Sequence, residues 1–312
     1  MLKVISIDSV RLHWTISRNH AGLFMGQIYE IAIQHHVKVK TIEASHNNPS
    51  WGRRVNLNIE GESFQLGVMT SYKSAWIEYG FKGSPNFLNF DNATILFAEK
   101  SFANAVAKAN VFRFEMAVDY SGLMSSQFIS HYRGVRKSWA VQSKKSGGKT
   151  QYSGSVHNKE FVLYDKTQEV TDKGGTSICE KLLRMELRLH KRKESLLQVI
   201  NNFYKSDPFE NVYVVQKEVA LKYKTKIKNW PLFISACTLY GTAIALQKFS
   251  PHKRSFLKIL KKLSADTIKP CLQDFSNSLN FILDSWKKTS YGVAICYGIE
   301  DGNQLHNSSQ EN

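Results

Sequence analysis

What the chain lacks narrows its function before any motif is read. Its four cysteines, Cys179, Cys237, Cys271 and Cys296, are widely spaced, and no two form a C-x-x-C pair. Neither a zinc ribbon nor a dithiol redox centre is indicated, and reduced thiols in a cytosol are expected. There is no long apolar run. The nearest approach, Leu232 to Leu246, is broken by Ser235, Thr238, Tyr240, Gly241 and Thr242, and falls short of the ~20 residues that span a bilayer. The opening Met1-Leu-Lys-Val-Ile-Ser-Ile-Asp has no apolar signal core, so a cytoplasmic protein with no membrane partner is expected. No G-x-x-x-x-G-K-[ST] loop is present, which argues against a built-in ATPase. No internal repeat is evident.

Acidic residues are the other shortage. Against 42 Lys and Arg stand only 26 Asp and Glu, a formal charge of +16. A surplus of this size suits a polyanion, through phosphate contacts and release of condensed counterions. Cations gather at Arg133 to Lys149, Lys181 to Lys193, Lys217 to Lys228 and Lys248 to Lys262. Trp139, Tyr152 and Tyr132 lie close to the first group and are able to stack on unpaired bases. Each cluster read alone is equally a solvated face, and Trp139 read alone is a core residue.

Hydrophobic patterning divides the chain. Up to about residue 200 it reads as mixed, with strands at Leu2 to Ile16 and Ile28 to Ile42. A hairpin joins Arg54–Ile59 to Phe64–Val68 through Glu-Gly-Glu-Ser, and a helix covers Asn92 to Lys108. A second hairpin turns near Lys144 to Thr150, where Ser-Gly-Gly supplies a permissive backbone. Beyond it, Leu196 to Phe203, Val212 to Tyr223, Trp230 to Leu246, Lys253 to Leu263 and Leu272 to Trp286 read as helices, punctuated by Pro208, Pro231, Pro251 and Pro270. The expected architecture is α+β. An antiparallel-sheet nuclease domain with flanking helices occupies residues 1–200, a smaller all-α domain 201–298, and a disordered tail 299–312.

Three segments carry chemistry. In Phe112-Arg-Phe-Glu-Met-Ala-Val-Asp119, period-two alternation sets Arg113, Glu115, Ala117 and Asp119 on one face. In Leu183-Arg-Met-Glu-Leu-Arg-Leu-His190 it does the same for Arg184, Glu186, Arg188 and His190. Between them, Val162, Tyr164 and Lys166 share a face. In one sheet these would gather Glu115, Asp119, Glu186, Tyr164 and Lys166. Carboxylates are the donors that Mg²⁺ or Mn²⁺ prefers, such an ion polarises a phosphodiester, and a tyrosine hydroxyl can attack phosphorus. The alternative is that both strands turn a polar face to water, as half-exposed antiparallel sheets do. Spacing alone does not choose between them.

The order of motifs carries a resemblance. Tyr164-Asp-Lys-Thr-Gln-Glu169 is a Y-x-K-x-x-E pattern, preceded by Arg113-Phe-Glu115 and followed by Arg184-Met-Glu186-Leu-Arg188. Over about residues 111 to 195 the chain resembles the replication initiators of filamentous phages and, more distantly, those of small rolling-circle plasmids. The resemblance implies a replication-initiating endonuclease, or nickase, that cuts one origin strand and forms a 5′-phosphotyrosine intermediate, the free 3′ end priming rolling-circle DNA replication. It implies Tyr164 as nucleophile and Lys166 as its catalytic neighbour. Glu115, Glu186, Glu169 and, in some relatives only, Asp119 are the implied acids for a Mg²⁺ or Mn²⁺ cofactor. Glu115 departs from the usual aspartate, keeping the charge with a longer reach. Arg113, Arg184, Arg188, Lys144, Lys145 and Lys149 are expected at the DNA. Expected partners are origin DNA, duplex and single-stranded, a host helicase and polymerase in a bacterial cytoplasm, and a second copy of the chain. A non-catalytic DNA-binding replication regulator and a mobilisation-type relaxase stay open as alternatives. A His-hydrophobic-His metal pair is missing: His35 and His36 are adjacent, and His46, His157 and His190 are isolated.

Overall fold

In the computed structural model, residues 3–15, 26, 30, 33, 38–42, 54–59, 62–68, 74–80, 109–134, 137–142, 148–155, 157–177, 180–265 and 268–288 are described. The chain is α+β, and its contacts divide it into two interleaved units. One comprises Met1–Ile7, Glu115–His190 and Asn202–Phe275; the other comprises Asp8–Phe114, Lys191–Asn201 and Ser276–Asn312.

The second unit is built on an antiparallel meander. Strands β1 (Lys3–Thr15), β2 (Lys38–Ile42), β3 (Arg54–Ile59), β4 (Glu62–Val68) and β5 (Ser74–Gly80) lie in the order β2-β3-β4-β5-β1. The expected hairpin forms, β3 pairing with β4 and Ile59 standing opposite Glu62. The strand expected over Ile28 to Ile42 is confined to Lys38–Ile42, and the described residues Glu30 and Ile33 are helical. Short apolar runs such as Ile31-Ala-Ile33 satisfy either period, which explains the difference. The helix expected over Asn92 to Lys108 and the tail 299–312 lie outside the described residues.

In the first unit, the start of β1 and the end of β6 (Asn110–Ser121) join four more strands in a six-stranded antiparallel sheet. These are β8 (Ser138–Gln142), β9 (Lys149–Gly154), β10 (Lys159–Asp165) and β11 (Leu182–His190), and the order is β1-β6-β11-β10-β9-β8. Gln142 opposes Lys149, so the second hairpin is present, although residues 143–147 at its tip lie outside the described set. Phe161 and Leu163 of β10 oppose Leu187 and Met185 of β11, and all four are fully buried. This is one face of the sheet.

Against that face lies a ribbon of β7 (Phe128–Tyr132) and β12 (Val212–Gln216), keyed by Gln151 of β9. Its side-chain oxygen accepts from Ser130 N at 3.1 Å, and its nitrogen donates to Phe128 O at 2.8 Å. Strand β12 overturns the helix expected over Val212 to Tyr223. Val212-Tyr-Val-Val is β-branched and buried throughout, so pairing with β7 outweighs the helical period and only Lys217–Lys222 is helical. A helix not expected from the sequence pattern, α1 (Lys166–Asp172), follows β10. The other expected helices form as α2 (Leu196–Lys205), α4 (Trp230–Tyr240), α5 (Thr242–Lys248), α6 (Lys253–Ala265) and α7 (Leu272–Lys288), with α3 (Lys217–Lys222) the helical remnant after β12. The run Trp230 to Leu246 is two helices because Gly241 adopts φ +86° between them. Trp230, Phe233, Phe256 and Leu260 centre a core that α3, α4, α5 and α6 share with Ile129 and Val215 of the ribbon. Each such side chain contributes roughly 2–3 kcal/mol by burial.

Two outcomes follow. Gly154 has φ +132°, and a Cβ there would stand 2.2 Å from Lys159 O and 2.8 Å from Glu160 Cα. Gly154→Ala is expected to cost about 3 kcal/mol or more, read as a lower urea midpoint. His131, buried in β7 beside Tyr213, has its pKa lowered to about 4, first by burial and then by Lys253. The unfolded chain therefore binds this proton first as pH falls. Stability from a neutral His131 is complete above about pH 6.5 and is lost between there and pH 4. His131→Phe is expected to flatten that part of the stability–pH curve in denaturant titrations.

Candidate functional site

The second face of the same six-stranded sheet carries the motif residues. Tyr164 opposes Arg184 on β11 and Thr150 on β9; Val162 opposes Glu186 and Tyr152; Glu160 opposes Arg188. Directly opposed residues share a face, so Tyr164, Arg184, Glu186, Arg188 and Tyr152 stand together. On β6, Glu115, Ala117 and Asp119 occupy one side by the same period. Arg113 precedes Glu115 by two residues in the strand and is half-buried.

This face is not turned to water. Glu115, Asp119, Glu160, Arg184 and Glu186 are all buried, Glu160 to within 1% of full enclosure. Ionised groups there need partners, and two arginines supply them. Arg184 forms a fork on Asp119, Nε to Oδ1 and Nη2 to Oδ2, both at 2.6 Å. Arg188 reaches Glu186 at 2.9 Å and both Glu115 and Glu160 at 3.4 Å. Burial opposes the Arg188 charge, but Glu186 and then Glu115 outweigh it, so its pKa rises.

Tyr164 ends β10, 7% exposed. Burial pushes its phenol well above the usual range, Glu186 adds to the rise, and Arg184 opposes it. The chain then passes directly into α1, whose first residue is Lys166. Its ammonium lies 5.9 Å from the Tyr164 ring centroid and 2.6 Å from Glu169. Glu169 also accepts from Lys173. Burial alone would raise its pKa, but these two hydrogen bonds hold it below the usual carboxylate value. The strand-to-helix corner is fixed by Asp165, which accepts from Ser125 N at 2.5 Å and Ser125 Oγ at 2.8 Å.

A cavity of about 220 Å³ opens at this corner. Tyr164, Glu169, Asp172, Lys149, Lys173 and Arg188 contribute to its wall, and Tyr152 lies at its side. Tyr152 is half-buried and stacks on Trp139, ring centroids 5.0 Å apart and planes within 10°. Trp139, read alone as core, is thus a half-exposed stacking partner of Tyr152 on the face that carries Tyr164. Lys149 donates to Thr238 O, and burial lowers its pKa. Lys144 and Lys145 lie outside the described residues, as do His35, His36 and His46. His157 is exposed in a turn, and His190 closes β11 half-buried.

The structure thus brings Tyr164, Lys166, Glu169, Glu186, Arg188 and Lys149 to one cavity corner and its adjoining face, while Asp119 is committed to Arg184. Sequence reading missed Glu160 and Lys217. Glu160 sits in the tyrosine strand at the period-two position of Val162 and Tyr164, which was a usable signal. Lys217, whose pKa is lowered to about 8 by burial and then by Lys149, is brought near by the β12–α3 corner; the sequence marks it only as the start of the Lys217 to Lys228 cluster, with no sign of its nearness to Lys149.

Carboxylates are hard oxygen donors of the type Mg²⁺ accepts. As arranged, however, they are held by guanidinium groups, and the described residues contain no cluster of three or more acidic, histidine or cysteine side chains set to hold a metal. The arrangement of the described residues does not fit a ready metal site. Cys237 is buried and Cys271 half-buried, both as free thiols. No helix among the described residues is long and apolar enough to cross a membrane. In comparisons with known proteins, no family model and no curated protein matches the chain.

The Arg184–Asp119 fork can be tested directly. Asp119→Ala leaves a buried guanidinium uncompensated and is expected to cost about 3–5 kcal/mol in chemical denaturation. The double variant Asp119→Ala with Arg184→Met is expected to recover most of that loss, giving a large coupling energy in the double-mutant cycle.

Proposed function

We propose that the chain is an origin-nicking DNA strand transferase of the rolling-circle replication initiator kind, with Tyr164 as nucleophile. The observation that carries this reading is the cavity at the β10–α1 corner, where one tyrosine is walled by Lys149, Lys173 and Arg188 and flanked by an aromatic stack. A phosphodiester entering there meets cations, and the unpaired base beside it meets Tyr152 and Trp139. The Tyr164 oxygen attacks phosphorus, and its O–P bond forms as the bond from phosphorus to the 3′ oxygen breaks. The phenol proton leaves to water in the cavity as Lys149, Lys173 and Arg188 neutralise the phosphate, and the departing 3′ oxygen takes up a proton from water. The products are a 5′-phosphotyrosine and a free 3′ hydroxyl. One phosphoester replaces another, so the link stores the bond for later strand closure.

A Mg²⁺ or Mn²⁺ requirement belongs to the proposal through the resemblance, with Glu115, Glu186, Asp119 and Glu169 as the acids it implies. Nuclease identity for the sheet domain, origin DNA and host helicase and polymerase as partners, and a cytoplasmic location belong to the proposal as well.

One observation favours the second reading, a non-catalytic DNA-binding regulator. Tyr164 is nearly enclosed and strongly protonated, and its neighbouring acids are paired with arginine. A nicking assay separates the two. On supercoiled DNA carrying the native origin, with Mg²⁺ or Mn²⁺ titrated, the wild type is expected to nick and to leave a denaturation-resistant adduct. Tyr164→Phe is expected to do neither while binding the same DNA. Nicking by the Phe variant at the wild-type rate would falsify the assignment. Binding without nicking by both proteins would favour the regulator.

A further inference from the structure

We propose that the outer face of α6 and the lysine-rich segment between α3 and α4 form one surface that grips the phosphate backbone of duplex DNA. This deepens the reading above and rests on it only in taking DNA as the polyanion.

The case begins with composition. From Val219 to Ala265 the chain contains ten Lys and Arg and no Asp or Glu. The two richest parts are 25 residues or more apart in sequence, and the fold brings them together. In α6, Phe256, Leu260 and Leu263 face the helical core, while Lys253, Arg254, Lys258, Lys261 and Lys262 are exposed. Arg254, Lys258 and Lys261 recur at four and then three residues, so they line one stripe of the helix. Between α3 and α4, exposure alternates. Lys222, Lys224, Lys226 and Lys228 are exposed, while Tyr223 and Ile227 are half-buried and pack on the same core as Phe256 and Leu260. The joint is direct: the Lys262 ammonium lies 5.6 Å from the Tyr223 ring centroid, and Tyr223 meets Trp230 edge-on. Lys222 is paired with Glu218. Among the described residues no ion pair joins Lys224, Lys226, Lys228, Arg254, Lys258 or Lys261 to an acid.

The chemistry of the surface selects its partner. Its cations are on long flexible stems, suited to repeating phosphates rather than to one buried anion. No large apolar side chain is exposed on α6, whose apolar stripe is spent on the core, so this helix offers a lipid headgroup layer no anchor. Exposed Leu221 and Leu232 flank the lysine segment, and vesicle binding is therefore scored in the test. The one aromatic ring at the joint, Tyr223, is half-buried beneath Lys262, so unpaired bases find no platform there. Paired DNA, which offers phosphate and keeps its bases stacked, fits best.

The test is anisotropy of a short labelled duplex across a KCl series with EDTA present, so that no cleavage intervenes. Two triple variants, Arg254→Gln with Lys258→Gln and Lys261→Gln, and Lys224→Gln with Lys226→Gln and Lys228→Gln, are compared with wild type. A control carries the same charge change at Lys3, Lys205 and Lys269, which lie outside the four cation clusters. Each surface variant is expected to reduce the slope of log affinity on log salt by about 2–3, at roughly 0.9 per lost phosphate contact. The control is expected to keep a slope close to wild type, and single-stranded DNA of the same sequence is expected to respond little to any variant. Unchanged slopes in both surface variants would overturn the proposal. So would a control that falls as far as they do, a loss confined to single-stranded DNA, or a loss confined to binding of phosphatidylserine vesicles. Because Tyr164 is untouched and no cut is scored, failure of nicking leaves this result standing, and failure here leaves Tyr164 unaffected.

Discussion

Two guanidinium groups on the enclosed face of a sheet set the terms for the rest of this protein. Arg184 holds Asp119 in a two-point fork, and Arg188 sits among Glu115, Glu160 and Glu186. Charges taken out of water are costly unless each finds its counterpart, so strands β6, β10 and β11 must meet in one register. A slip of one residue would swap this face with the apolar one and drive four carboxylates into the layer of Phe161, Leu163, Met185 and Leu187. The apolar layer alone would tolerate some sliding of similar side chains. The ionic layer would not, and it is what holds Tyr164 at the mouth of the cavity.

The same enclosure governs reactivity. In a low-dielectric setting the phenol of Tyr164 keeps its proton, and the nearby Glu186 strengthens that preference. On the proposed reading, a nucleophile in this state is inert toward water and stray electrophiles. Its activation would have to arrive with the substrate, and a phosphodiester brings further negative charge. The cavity wall answers with Lys149, Lys173 and Arg188, so electrostatic neutralisation rather than a pre-ionised tyrosine is the contribution these side chains are placed to make. Ionised Glu169, bridged between two lysines, is stable as a carboxylate yet adjacent to the tyrosine helix corner.

Much of this was legible in the chain itself, and the exceptions have definite causes. Period-two alternation in Phe112–Asp119 and Leu183–His190 put Glu115, Asp119, Arg184, Glu186 and Arg188 on one face, because a strand offers its side chains no other choice. Alternation does not say what covers a face, and here the polar side is buried. The pairing of Arg184 with Asp119, rather than of Asp119 with a metal, depends on lateral strand order, to which a single strand carries no clue. Val212 to Val215 was misread because a continuous apolar run satisfies both periods, and only its pairing with β7 resolves it. Trp139 was undervalued for a similar reason. Its stacking partner Tyr152 lies 13 residues away across a hairpin, and a residue's exposure cannot be read before its partner is known.

The distribution of charge closes the argument between sheet and helices. Four of the acids are withdrawn into the sheet, where arginines answer them, and the stretch from Val219 to Ala265 has none at all. What the helices present to solvent is therefore more strongly positive than a net +16 over the whole chain conveys. A reaction at one phosphodiester needs few cations, held rigidly and shielded from water. Affinity for a long polyanion needs many, mobile and exposed, each replacing a condensed counterion. Rigid guanidinium groups occupy the first setting and exposed lysines the second, which is the division expected if chemistry and grip on DNA are assigned to different surfaces.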